Sequence, residues 1–178
     1  MKKQFVFTTL LLVLFAVCNG VSAQEALKSR PSPLSLTTMK YEDTYVKITY
    51  GRPHKKDRAI FDALVPYGKV WRLGANEATE ITVTEPIKLG GKTLEPGTYS
   101  LFAIPEANEW TIIVNEDLGQ WGAYRYNEKK DVFRVPASVS KGSTVYEPFT
   151  IEFEQKGVKK TNLLFKWDNV QASLPVEF

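Results

Sequence analysis

Short runs of alternating apolar and polar residues recur along most of this chain. Tyr45-Val46-Lys47-Ile48-Thr49-Tyr50 alternates, and in Ile81-Thr82-Val83-Thr84 the aliphatic residues fall on one face and the threonines on the other. Period two is the mark of a half-buried strand. Gly97 to Ile104 turns apolar on both faces towards its end, which predicts a central strand. Trp110-Thr111-Ile112-Ile113-Val114 is its expected hairpin partner, across a turn at Pro105 to Asn108. Phe149-Thr150-Ile151-Glu152-Phe153-Glu154 alternates with one wet face, and Asn162 to Trp167 and Ser173 to Phe178 complete the predicted strands. Phe149, Phe153, Trp110 and Trp167 are expected in the core. Between the runs, Gly and Pro recur at short intervals, from Gly51 and Pro53 through Gly90-Gly91 and Pro96-Gly97 to Pro148 and Gly157. This pattern predicts an all-β domain, an antiparallel and jelly-roll-like β-sandwich.

One segment departs from period two. In Asp57 to Val65, Ile60 and Leu64 lie four apart, as do Phe61 and Val65. Asp57 suits a helix start and Pro66 a stop. The spacing predicts one short helix around residues 57–65.

The N-terminus has a different pattern. Met1-Lys2-Lys3 precedes a mostly apolar run from Phe5 to Val17, and Val21-Ser22-Ala23 offers small or modest residues for a signal peptidase. Residues 1–23 are therefore expected to be a secretory signal peptide. The apolar run falls short of the ~20 residues of a transmembrane helix, and no transmembrane segment is expected. Phe15-Ala16-Val17 lacks the small residue that precedes a lipid-modified Cys, so lipid anchoring at Cys18 is not expected. The chain is predicted to be exported, periplasmic or extracellular. Residues 24–33 form a polar leader broken by Pro31 and Pro33, and residues 34–178 have the length of a single domain.

Composition narrows the chemistry. The full chain carries 23 basic and 20 acidic residues. Lys2 and Lys3 leave with the signal peptide, which brings the remainder close to neutral and argues against a nucleic-acid binder. The single Cys18 leaves as well, and with it any disulfide, thiolate nucleophile or Cys-ligated zinc. His54 is the only histidine, so no multi-His metal site can form. No metal or cofactor is expected.

The runs Tyr50-Gly51-Arg52-Pro53, Leu64-Val65-Pro66-Tyr67-Gly68 and Trp71-Arg72-Leu73-Gly74-Ala75-Asn76-Glu77-Ala78-Thr79 are distinctive. Together with Gly97-Thr98-Tyr99-Ser100-Leu101-Phe102 and Trp110-Thr111-Ile112-Ile113, they make the chain resemble a family of secreted bacterial proteins, known as domain of unknown function 2911. The resemblance runs from about Pro33 to Trp167. It departs at Asp62-Ala63, where the family pattern has Gly. It implies a secreted β-sandwich-type domain and brings no reaction with it.

Three constellations can carry chemistry. Arg52-Pro53-His54-Lys55-Lys56-Asp57-Arg58 gathers basic groups between a strand end and the predicted helix start, where an anion is physically sensible. The plainer reading is a solvated turn, with His54 a surface loop residue. Trp71 to Glu80 combines an aromatic, Arg72, Asn76 and Glu77 around Gly74. Either Arg72 and Glu77 form an ion pair that fixes a loop, or Arg72, Asn76 and Glu77 line a cleft floored by Trp71. Trp121-Gly122-Ala123-Tyr124-Arg125-Tyr126 can form an aromatic platform or complete the rim of the core.

The candidate ligand-binding set is thus Arg52, His54, Arg58, Trp71, Arg72, Asn76, Glu77, Trp121 and Tyr124. The leading expectation is a binding module with a polar cleft for a small anionic or carbohydrate-like ligand. The alternatives are a hydrolase using Glu77 or His54 as acid/base, and a structural or partner-binding envelope domain. Every cleft reading requires the segments near residues 52 and 72–77 to meet in space.

Overall fold

A computed structural model describes residues 29–178. The expected signal peptide, Cys18 and residues 24–28 of the leader lie outside the described residues. The described residues form nine strands: β1 (Leu34–Tyr41), β2 (Thr44–Gly51), β3 (Thr79–Val83), β4 (Ile87–Leu89), β5 (Lys92–Leu94), β6 (Gly97–Pro105), β7 (Glu109–Asn115), β8 (Asp131–Gln155) and β9 (Lys160–Glu177). They make one antiparallel sheet in the order β1-β2-β3-β6-β7-β8-β9-β4-β5. The all-β class and the antiparallel pairing are as the alternation predicts.

Local patterning explains the strands that place the site. In β2, Val46, Ile48 and Tyr50 are buried, and in β3 Ile81 and Val83 are. The β6–β7 hairpin forms as predicted, with Pro105 opposite Trp110. From Ser100 to Ala103, β6 is buried on both faces. Leu101 and Ala103 enter the main core. Phe102 joins Ile113 and Ala78 in a smaller cluster, against which Val70, Ala123 and Tyr126 pack.

Two predicted C-terminal strands are one long strand, β9, which carries Asp168 at a φ of 53° between them. Its partner β8 shifts register between Lys141 and Thr150, which lets the long pair bend. The sheet curls back on itself. Chain leaving β2 bonds to β8: the Phe149 amide donates to the Pro53 carbonyl at 2.8 Å, and the Lys55 amide to the Glu147 carbonyl at 2.8 Å. The Tyr50 hydroxyl accepts from the Ile151 amide at 3.1 Å.

The predicted helix at residues 57–65 does not form. Lys56, Asp57 and Asp62 have φ of 50°, 58° and 60°, left-handed values that interrupt a right-handed helix. The segment is a series of tight turns, in which the Val65 amide donates to the Ile60 carbonyl at 2.8 Å and the Asp62 amide to the Val65 carbonyl at 3.0 Å. Aspartate visits this conformation more readily than most residues that carry a Cβ. Ile60 and Val65 are buried, whereas Leu64 is exposed. The four-residue spacing therefore imitated a helix without sharing one face.

Aromatic rings fill the core between the curled parts of the sheet. Trp71 stacks on Trp167 at 6.0 Å and meets Phe149 at 5.1 Å and Trp110 at 5.8 Å edge-on. Its backbone pairs with Ala103 of β6 through bonds of 2.7 and 2.9 Å. Truncating a buried ring of this kind costs about 3–5 kcal/mol, so Trp71 is a rigid anchor for the loop that follows it.

Candidate functional site

The segments at residues 51–53 and 72–77 meet because two glycines let their backbones touch. The Ala75 amide donates to the Gly51 carbonyl at 3.2 Å. A Cβ on Gly51 would lie 1.8 Å from the Ala75 carbonyl oxygen, and one on Gly74 would lie 2.7 Å from the Gly51 carbonyl oxygen. The loop between Trp71 and Thr79 is closed internally. The Trp71 indole donates to the Gly74 carbonyl at 3.1 Å, and the Thr79 hydroxyl to the Leu73 carbonyl at 2.6 Å. Leu73 is fully buried beneath it.

A second loop, residues 116–127, is laced to the first. The Ala78 amide donates to the Gln120 carbonyl at 2.8 Å, and the Gly122 amide to the Asn76 carbonyl at 2.9 Å. Its far end is held by Tyr126, whose hydroxyl donates to Asp131 at 2.6 Å and accepts from Arg134 at 2.8 Å. Burial, and then the bond to Asp131, push the Tyr126 phenol up to about 12. Anchored at both ends, the loop presents Trp121 at 58% exposure and Tyr124 at 81%.

Three adjoining hollows run along these loops. The first, of about 590 Å³, is lined by Asp117, Leu118, Gln120, Trp121, Tyr124 and Arg125. The second, of about 230 Å³, shares Tyr124 and adds Trp71, Arg72 and Ala123. The third, of about 240 Å³, shares Trp71 and Arg72 and adds Ser32, Arg58, Leu64 and Asn76. Shared lining residues make the hollows neighbours along one groove-like surface, with Tyr124 between the first and second and Trp71 and Arg72 between the second and third.

Of the sequence candidates, Arg58, Trp71, Arg72, Asn76, Trp121 and Tyr124 line this groove. Trp71 does so from the core, as a floor. Arg52, His54 and Glu77 are not among the lining residues of the three hollows. Arg52 turns to β8 and donates to the Thr150 hydroxyl at 3.2 Å, while its buried Nε has no partner among the described residues. His54 bridges to Pro148 through its backbone, and its carbonyl accepts from Arg58.

The expected Arg72–Glu77 ion pair is not present. Glu77 instead accepts two bonds from Arg30, at 2.7 and 2.9 Å. Burial pushes the Glu77 carboxyl up, but its own backbone amide and Arg30 together outweigh this and hold it below the usual range. Among the described residues the Arg72 side chain donates only to the Asn76 carbonyl, at 3.4 Å. Arg58 donates to the carbonyls of Lys55 and His54. Among the described residues neither guanidinium pairs with a carboxylate.

Sequence reasoning missed Arg30 and Ser32, because residues 24–33 read as a leader. The Ser32 carbonyl accepts from the Asn76 amide group at 3.1 Å, so this segment forms one lip of the groove. Leu118 and Arg125 were also missed, although Arg125 lies within the aromatic run. No group of three His, Cys, Asp or Glu side chains that could hold a metal occurs among the described residues. Nor is any described helix long and apolar enough to cross a membrane.

Curled sheet and anchored loops define an all-β domain with an open groove of aromatic and cationic lining. The chain belongs to the family described as Protein of unknown function (DUF2911), whose model matches residues 32–176. No curated protein and no solved structure matches it.

Proposed function

We propose that this is an exported binding domain whose groove holds a small anionic or carbohydrate-like ligand. One observation carries the reading: two exposed rings, Trp121 and Tyr124, and two guanidinium groups without carboxylate partners among the described residues, Arg58 and Arg72, line three neighbouring hollows. Rings offer contact area at low cost in side-chain entropy. Arginine offers a planar, two-point grip on carboxylate or phosphate. Export rests on the charged, apolar and small-residue pattern of residues 1–23. The hydrolase alternative has no geometric support at Glu77. Its carboxyl is tied to Arg30 and held low, the opposite of what a general acid at neutral pH requires.

Thermal unfolding in the presence of neutral sugars, small carboxylates and inorganic phosphate tests the reading. A ligand at 100 times its Kd stabilises by about 2.7 kcal/mol. Trp121→Ala is expected to remove that shift while leaving the melting of the free protein within about 0.5 kcal/mol, as exposed substitutions do. No shift from any ligand class, or a shift untouched by Trp121→Ala, rejects the groove as a binding site.

A further inference from the structure

We infer that the ligand class of this groove is an acidic oligosaccharide, with sugar rings lying on Trp121 and Tyr124 and an anionic substituent held by Arg72 and Arg58. This inference rests on the binding reading above and narrows it. The shape of the groove argues for an oligomer. The middle hollow, about 230 Å³, and the end hollow, about 240 Å³, each fall below the ~300–1,000 Å³ of a pocket that encloses a compact ligand. The end hollow adjoins the middle one at Trp71 and Arg72, and the middle one adjoins the first at Tyr124, so the three follow one another as a path would.

Charge is distributed unevenly along that path. The end hollow is lined by Arg58 and Arg72 and by no Asp or Glu, whereas the nearby Glu77 is already neutralised by Arg30. Ring and cation also come together at one place. A Cβ on Gly122 would lie 2.8 Å from the Tyr124 ring and 3.6 Å from the Arg72 Nη1. A sugar ring seated on Tyr124 therefore carries a substituent towards Arg72 within one unit. At the opposite end, the first hollow is lined by Trp121 and by one charge of each sign, Arg125 and Asp117, so the cationic excess lies at the Arg58 and Arg72 end.

Stacking rings beside arginines also suit single-stranded nucleic acid. The charge balance opposes that class. Affinity for nucleic acid grows with the number of neutralised phosphates, and this chain, with a formal charge of only +3, offers three arginines along the groove, with Asp117 among them.

Calorimetric titration of the purified protein distinguishes the possibilities. The probes are oligogalacturonate, a sulfated galactan oligomer and a neutral cello-oligosaccharide of equal length, with a single-stranded oligonucleotide as the competing class. The expected result is that at least one acidic oligomer binds about tenfold tighter than the neutral one, the scale of a single charge-assisted pair. That advantage shrinks as salt is raised and disappears in Arg72→Gln, while Tyr124→Ala weakens acidic and neutral oligomers alike. The carboxylated and sulfated arms show which anion the arginines grip. Equal affinity for acidic and neutral oligomers, or an acidic preference that survives Arg72→Gln in a normally melting variant, overturns the inference and leaves the binding reading standing. Tighter binding of the oligonucleotide than of any glycan overturns it as well. Silence from every probe here, joined to silence from the small-ligand series, removes both.

Discussion

Gly51 has no room for a side chain. It ends β2, and the Ala75 carbonyl oxygen occupies the place where a Cβ would stand, 1.8 Å away. The obstacle is backbone, which cannot swing aside as a flexible side chain can. Gly51→Ala must therefore separate the strand end from the Trp71–Thr79 loop or distort both. Overpacking of this kind costs about 3 kcal/mol, equivalent to a fall in Tm of roughly 10 °C at this chain length. Denaturant titration with an unchanged m-value checks it, and a loss below about 1 kcal/mol would show that the two backbones do not touch. The same contact helps to shape the hollow that Arg58 and Asn76 line. Nothing in the local sequence around Gly51 announces the approach. A turn glycine and a contact glycine look alike until the other backbone is in place.

At the scale of elements, residues 56–65 give the clearest test. Asp62 sits at a φ of 60°, a value that glycine adopts freely. Asp62→Gly is accordingly expected to leave stability unchanged or raise it by up to about 1 kcal/mol. Were the segment helical, the same change would cost about 0.5–1 kcal/mol. The sign of the shift in thermal unfolding decides between them. Elements with contrast between their faces were legible in sequence: β2, β3, the β6–β7 hairpin, and the part of β8 from Phe149 onward. Strand β1 was not legible, because Leu34 and Leu36 are 63% and 59% exposed and its apolar positions do not mark a buried face. Strands β4 and β5 are three residues each, too short for a period to show. The first half of β8 does alternate, with Phe133, Val135, Ala137 and Val139 facing the core, but Pro136 within the run and the Ser and Gly residues after it read as turn signals. In the candidate site, the residue types of both loops were legible, and the partner of Glu77 was not. Arg30 lies 47 residues away and is brought to Glu77 by the lip of the groove.

The whole molecule depends on the sheet curling until its first strand faces the end of its last. Tyr41 closes β1 and stacks on Phe178 with ring centroids 5.6 Å apart. A double-mutant cycle of Tyr41→Ala and Phe178→Ala is expected to show a coupling of about 0.5–1.5 kcal/mol, the range of an aromatic pair. A coupling near zero would mean that these ends do not meet in solution. Curling is also what makes a groove from two loops and a lip that are distant along the chain. The amino-acid sequence by itself determined the all-β class, most of the long strands, the family and the chemical types of the groove residues, because period, turn residues and side-chain identity are local properties. Only the tertiary structure decided that residues 57–65 form turns, that Arg30 rather than Arg72 holds Glu77, and that Arg58, Arg72, Trp121 and Tyr124 share one surface. Those outcomes depend on which backbones approach across the sheet, and that is settled by packing between residues far apart in sequence.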